Sequence, residues 1–140
     1  MVAGEEANAM AEILRWAVRV PPWLLAILFA VLGVRSLTNP ERAAAFFGYA
    51  LPDAGLGLSS MIGHAASWAF TISASLLLGL LRKERAWFFP PMMLFGFFAL
   101  GRIVATTVHG APFLAERVIA ELAFVGLIYL ASRHVPHPGR

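Results

Sequence analysis

An arginine and a glutamate stand at matching depth inside otherwise apolar stretches: Arg102 in WFFPPMMLFGFFALGRIVATTV and Glu121 in ERVIAELAFVGLIYLAS. A charge at bilayer depth costs about 2.5–3.5 kcal/mol on insertion scales, so chains retain one only with a partner or a task. The two have opposite sign and lie on consecutive helical stretches joined by the short turn TVHGAPF, so they can meet. As a structural pair they would fix helix register. Such pairs add little net stability, yet losing one partner strands the other. Arg117, one turn before Glu121, offers the glutamate a second partner on its own helix. The chemical alternative is a small polar pocket. There the guanidinium fork of Arg102 could hold a carboxylate, a quinone carbonyl or a lipid phosphate, and Glu121 could pass protons as a general acid or base.

Other polar residues converge on the same end. Arg102 and Glu121 each lie about six residues from their shared turn, roughly 9 Å deep at 1.5 Å per residue. His64 enters the preceding apolar helix from that side, Ser67 lies about one turn deeper, and Thr106 stands one turn above Arg102. The connection at 38–60 must cross over this end, bringing Tyr49 and Asp53 within reach. The expected binding set is therefore Arg102, Glu121, His64, Thr106, Asp53 and Tyr49, with Phe46, Phe97 and Phe98 to hold an apolar tail. The catalytic alternative uses Glu121 or Asp53 as general acid or base on a hydrophobic substrate. Only His64, His109, Asp53 and Glu121 could supply metal ligands there, too loose a set to predict a metal site, and no cofactor is expected. There is no G-x-S-x-G, P-loop, H-E-x-x-H or dinucleotide fingerprint.

The elements that must position these residues are transmembrane. Of 140 residues 59% are hydrophobic and 14% charged, against about 45–50% apolar in soluble domains, and the mean hydropathy is +0.73. The pI of 10.2 rests on a net charge of only +3, and the arginines flank apolar segments, which reads as topogenic charge rather than a nucleic-acid surface. The absence of cysteine excludes disulfides and thiolate chemistry. One all-α domain is expected, a four-helix transmembrane bundle with spans near 20–37, 61–81, 87–108 and 115–132. Residues 1–15 and 133–140 are expected as tails, the latter holding His134 and His137. Residues 8–19 read as a short amphipathic surface helix, with Pro21 and Pro22 opening the first span. The first span is expected as an uncleaved anchor, since Glu5, Glu6 and Glu12 precede it and no A-x-A site follows.

The long connection TNPERAAAFFGYALPDAGLGLSS predicts a short helix opened by Pro40, with Ala43, Phe46 and Phe47 on one apolar face. In the second span Ser59, Gly63, Ser67, Thr71, Ser75 and Gly79 recur every fourth residue. They read as a close-packing seam or, alternatively, as a polar lining. Orientation follows from charge. Arg15, Arg19, Arg82, Lys83, Arg85, Arg133 and Arg140 fall on one side, Arg35, Arg42 and Arg117 on the other. The richer side, with both termini, is expected in the cytoplasm and the protein in the inner (plasma) membrane.

The order NPERAAAFFGYALPD, then ALGRIVATTVHGAP, then AELAFVG, resembles a bacterial family of small four-helix integral membrane proteins of unknown function, related to the DoxX-like group. The pattern covers roughly residues 35–132. The resemblance implies recurring roles for Gly101 and Arg102, for the turn residues Gly110 and Pro112, and for Glu121. His109 stands where relatives often have an acid, and His64 where many have arginine. It also implies an accessory membrane subunit, since some DoxX-like proteins accompany quinone-linked redox complexes. The expected function is an accessory subunit or lipid/quinone-binding module with its pocket at the non-cytoplasmic end. A small membrane enzyme and an oligomeric proton-coupled transporter are the alternatives. Expected partners are membrane lipids, a quinone or similar amphiphile, and further copies or a larger membrane complex.

Overall fold

The computed structural model describes residues 2–135, with backbone alone for 2–9, 11–15 and 17–19; His137 and the rest of the expected tail beyond 135 lie outside the described residues. Five α-helices follow one another: α1 (Val2–Thr38), α2 (Pro40–Phe47), α3 (Leu56–Arg82), α4 (Phe89–His109) and α5 (Ala115–Arg133), with a 3-10 turn at Arg85–Phe88 before α4. Among the described residues there is no strand. Three segments are long and apolar enough to cross a membrane: Val20–Thr38, Leu56–Arg82 and Arg85–His109, with mean hydropathies of 1.8, 1.4 and 1.6. The nineteen residues of α5 include Glu116, Arg117, Glu121 and Arg133, which lower its apolar character below that of the other three.

The N-terminal region departs from expectation. Residues 8–19 are helical but not separate from the first span: with residues 2–7 of the expected N-terminal tail they belong to one 37-residue helix running through Pro21 and Pro22. Each proline removes an amide donor, leaving the carbonyls of Ala17 and Val18 without their intrahelical bonds. The helix persists because strong helix formers (Ala3, Glu5, Ala7, Ala9, Ala11, Glu12, Leu14) precede the prolines. Pro22 itself is fully buried in the packing below.

The core is made where α1 lies against α3, with α4 and α5 paired beside them. Leu25, Ala26, Phe29 and Leu32 of α1 meet Ala69, Ile72 and Leu76 of α3, and Phe88, Phe95 and Ile128 close the cluster. Close approach of α1 and α3 comes from small residues: Ala26 and Ala69 are wholly buried, and the Ser73 hydroxyl donates across to the Ala26 carbonyl at 2.8 Å. Gly33 admits the Phe70 ring, which would sit 2.7 Å from a β-carbon there.

The expected small-residue stripe is therefore a seam only at its C-terminal end, at two of its six positions. Ser75 and Gly79 are buried, with Gly79 receiving Phe88. Ser59, Gly63, Ser67 and Thr71 are exposed on the outer face of α3.

The short helix of the long connection forms as its sequence dictates. The Asn39 side chain caps it by accepting from the Arg42 amide, Pro40 occupies the first turn, and Gly48 ends it in the left-handed region at φ 77°. It packs on α1 through Ala43 and Ala44, both buried, with Phe47 half-buried; Phe46 is 46% exposed rather than inside. The outer faces of the long helices remain apolar, as at Leu24, Ile27 and Val31 of α1, Phe97 and Leu100 of α4, and Ile119 and Leu122 of α5. An all-helical chain wrapped in apolar side chains satisfies its backbone internally and offers hydrocarbon to lipid.

Candidate functional site

The end of the bundle beneath α2 holds a cavity of about 280 Å3, to which all five helices contribute. On α4 its lining residues are Phe95, Phe98 and Arg102, spaced by three and then four. On α5 they are Arg117, Ala120, Glu121 and Phe124, spaced by three, one and three. Both spacings describe one helical face. Leu28 and Phe29 close the floor from α1, Trp68 comes from α3, and Phe46, Phe47 and Tyr49 cover it from α2 and the residues just after.

Arg102 and Glu121 meet. Arg102 Nε donates to Glu121 Oε1 at 2.8 Å, with the arginine side chain 30% exposed and the glutamate 11%. Glu121 Oε2 is buried and has no hydrogen-bond partner. The contact is thus one-armed, leaving half of the carboxylate's acceptor capacity unused.

Arg117 does not pair with Glu121 across one turn of α5. Its Nη1 donates instead to the Phe46 carbonyl at 2.8 Å, at the C-terminal end of α2, where carbonyls lack intrahelical partners and the helix dipole favours a cation. Its guanidinium lies 3.6 Å from where a β-carbon on Gly48 would be, ordinary contact distance, so the left-handed backbone at φ 77° is what calls for glycine there.

The apolar wall is a connected set of rings around Trp68. The Trp68 ring centroid lies 4.4 Å from Phe47, 5.0 Å from Phe98 and 6.5 Å from Phe29. Phe95 packs edge-on against Phe29 at 5.4 Å and lies 5.1 Å from Phe124. Tyr49 stacks on Phe47 at 6.0 Å with the planes 10° apart. Burial pushes the Tyr49 phenol above its ordinary value, so its hydroxyl stays a neutral donor.

The expected polar set is only partly assembled here. Arg102, Glu121 and Tyr49 share the cavity; His64, Asp53 and Thr106 do not line it. His64 is exposed, its Nδ1 2.6 Å from the Ser60 carbonyl one turn back, in a separate shallow groove with Gly63, Ser67 and Thr71. Trp68 lines both spaces. Asp53 is exposed in the turn before α3, and Thr106 is half-buried on α4. Of the phenylalanines expected to hold a tail, Phe46 and Phe98 line the cavity, whereas Phe97 is 61% exposed on the outer face.

Arg117, Trp68, Phe47 and Phe124 were not expected in the site, although part of the signal was present. Arg117 and Phe124 flank Glu121 at −4 and +3, and Phe95 and Phe98 precede Arg102 at −7 and −4.

His109 is exposed in the last turn of α4, and His134 Nδ1 is 2.9 Å from the Leu130 carbonyl. Among the described residues no three His, Cys, Asp or Glu side chains converge as metal ligands would. In comparisons with protein-family models, curated proteins and solved structures, no family, protein or structure matches the chain.

Proposed function

We propose that this is a multi-pass membrane protein that binds an amphipathic small molecule, a lipid or a quinone, in the cavity beneath α2, alone or as an accessory subunit of a larger membrane assembly. One observation carries the reading. A single cavity combines charged and hydroxyl groups (Arg102, Glu121, Arg117, Tyr49) with a connected aromatic wall. That combination suits a polar head and an apolar tail, the usual composition of small-molecule sites.

In the same proposal α5 is the fourth span. Its nineteen residues reach about 28 Å at 1.5 Å per residue, near the hydrocarbon thickness of a bilayer, and its deepest charge is paired with Arg102. Both termini then face the cytoplasm by the seven-to-three distribution of basic residues, with the cavity at the opposite face of the inner membrane. Kinship with the DoxX-like group belongs to the proposal and rests on the motifs around Arg102, Gly110 and Glu121.

The enzymatic alternative draws less support, because Asp53 is exposed away from the cavity and Glu121 Oε1 is engaged by Arg102. Native mass spectrometry of the detergent-extracted protein tests the reading. A retained amphiphile in the wild type, lost when Ala120→Phe fills the cavity while helicity is kept, is the expected outcome. A ligand-free spectrum with no thermal stabilisation by added lipids or quinones would refute it.

A further inference from the structure

We infer that the ligand's head is anionic, a carboxylate or a phosphate, and that Arg117 rather than Arg102 is its anchor, so that one guanidinium holds both the ligand and the α2 lid. The inference rests on the amphiphile-binding reading and narrows it. Arg102 is spoken for, because its Nε already serves Glu121 Oε1 at 2.8 Å and the two charges cancel. Arg117 is the remaining charge on the cavity wall, so two arginines and one glutamate leave the lining with a net +1.

No carboxylate among the described residues lies within ion-pairing distance of Arg117, and its one hydrogen bond is to a neutral carbonyl, that of Phe46. Arg117 stands in the first turn of α5, partly buried on the cavity wall and with no counter-ion. A bound anion would take charge-assisted bonds from the rest of its donor fork. The neutral Tyr49 phenol on the same wall adds a hydroxyl donor and no competing negative charge.

The position of Arg117 adds a mechanical consequence. The bond to Phe46 ties α5 to the C-terminal end of α2, and the chain turns away at Gly48 directly against the guanidinium. Fixing the arginine with an anion from the cavity side would hold that end of α2 more firmly, so occupancy and lid closure rise together.

The test uses the full chain in non-ionic micelles with four probes: decanoate, decyl phosphate, decanol and a short-tailed benzoquinone. Binding is read by native mass spectrometry and thermal shift, and α2 mobility by amide hydrogen exchange. Decanoate or decyl phosphate should bind about tenfold or more tightly than decanol, the scale of a hydrogen bond to a charged group, and should slow exchange across residues 44–49. The stronger of the two acids identifies the source, a free fatty acid or a phosphate-headed lipid. Arg117→Gln should erase the preference while leaving decanol binding in place, and Arg117→Lys should retain part of it. If Arg117→Gln does not fold, the wild-type ranking of the four heads decides alone. Equal binding of acid and alcohol, or a preference for the quinone, would overturn the anionic assignment and leave the amphiphile site standing. Binding of none of the four would remove both.

Discussion

Deleting either partner of the Arg102–Glu121 contact should cost unequal amounts, and the inequality can be worked from the structure. Two unit charges about 4 Å apart attract by roughly 4 kcal/mol at the effective dielectric of about 20 that suits partly buried pairs. The arginine side chain is 30% exposed, the glutamate 11%, so screening acts mainly through the arginine. Arg102→Met leaves a buried carboxylate with both oxygens unpartnered, since Oε2 has none to begin with. Its expected cost is about 3 kcal/mol, the low end for breaking a buried pair. Glu121→Gln keeps a carbonyl oxygen in front of Arg102 Nε and strands only a cation long enough to reach the head-group region, so about 1 kcal/mol is expected. The double variant should lose about 1–2 kcal/mol less than the sum. Reversible unfolding in mixed micelles with increasing SDS, followed by far-UV circular dichroism, supplies all three numbers. A cost for Glu121→Gln equal to that for Arg102→Met, or strictly additive losses, would refute the reasoning.

Two glycines on α3 should respond oppositely to a methyl group. Gly79→Ala drives a β-carbon to 2.5 Å from the Phe88 ring and should destabilise by about 1–3 kcal/mol. Gly63→Ala meets nothing within 4 Å and should gain about 0.5–1 kcal/mol in helix propensity by the same unfolding assay. Because the Tyr49 phenol is raised on folding, the unfolded chain releases its proton first. Stability should therefore fall as pH rises through the ordinary tyrosine range, and Tyr49→Phe should flatten that fall in a pH series of melting temperatures. Glu84→Cys and Ala54→Cys, placed singly in a chain without cysteine, should label from opposite faces of intact cells; labelling of both from outside would end the four-span proposal.

Much of the architecture was legible because its signals are local. Asn39 with Pro40 and, eight residues on, Gly48 mark both ends of α2, and the apolar runs around Phe70 and Phe95 give two of the three longest apolar helices. The meeting of Arg102 with Glu121 was legible as one of two pairings, since opposite charges at one depth favour contact while Arg117 offered the glutamate a rival on its own helix.

What failed depends on rotation about a helix axis and on side-chain reach. His64 has the right depth, but it faces outward from α3 into a groove that shares only Trp68 with the cavity. Arg117 stands one turn from Glu121, yet the carbonyl left open at the end of α2 claims it instead, a partner 71 residues away in the chain. The run through Pro21 and Pro22 misleads because two prolines signal a helix start, whereas the helix formers before them and the burial of Pro22 in the bundle carry the helix through.

The ion pair also bears on how the protein is made. Glu121 follows Arg102 by nineteen residues, so during synthesis Arg102 emerges ahead of its counter-charge. Released alone into the membrane, α4 would carry the full insertion cost of an arginine, about 2.5–3.5 kcal/mol. If α5 is the fourth span, as proposed, entry of the two as a hairpin would present a neutralised pair instead. The short turn at 110–114 suits such joint entry. A chain terminated after His109 should accordingly integrate α4 less completely than the full-length chain in a glycosylation-mapping translation assay, and Arg102→Leu should restore integration of the truncated form.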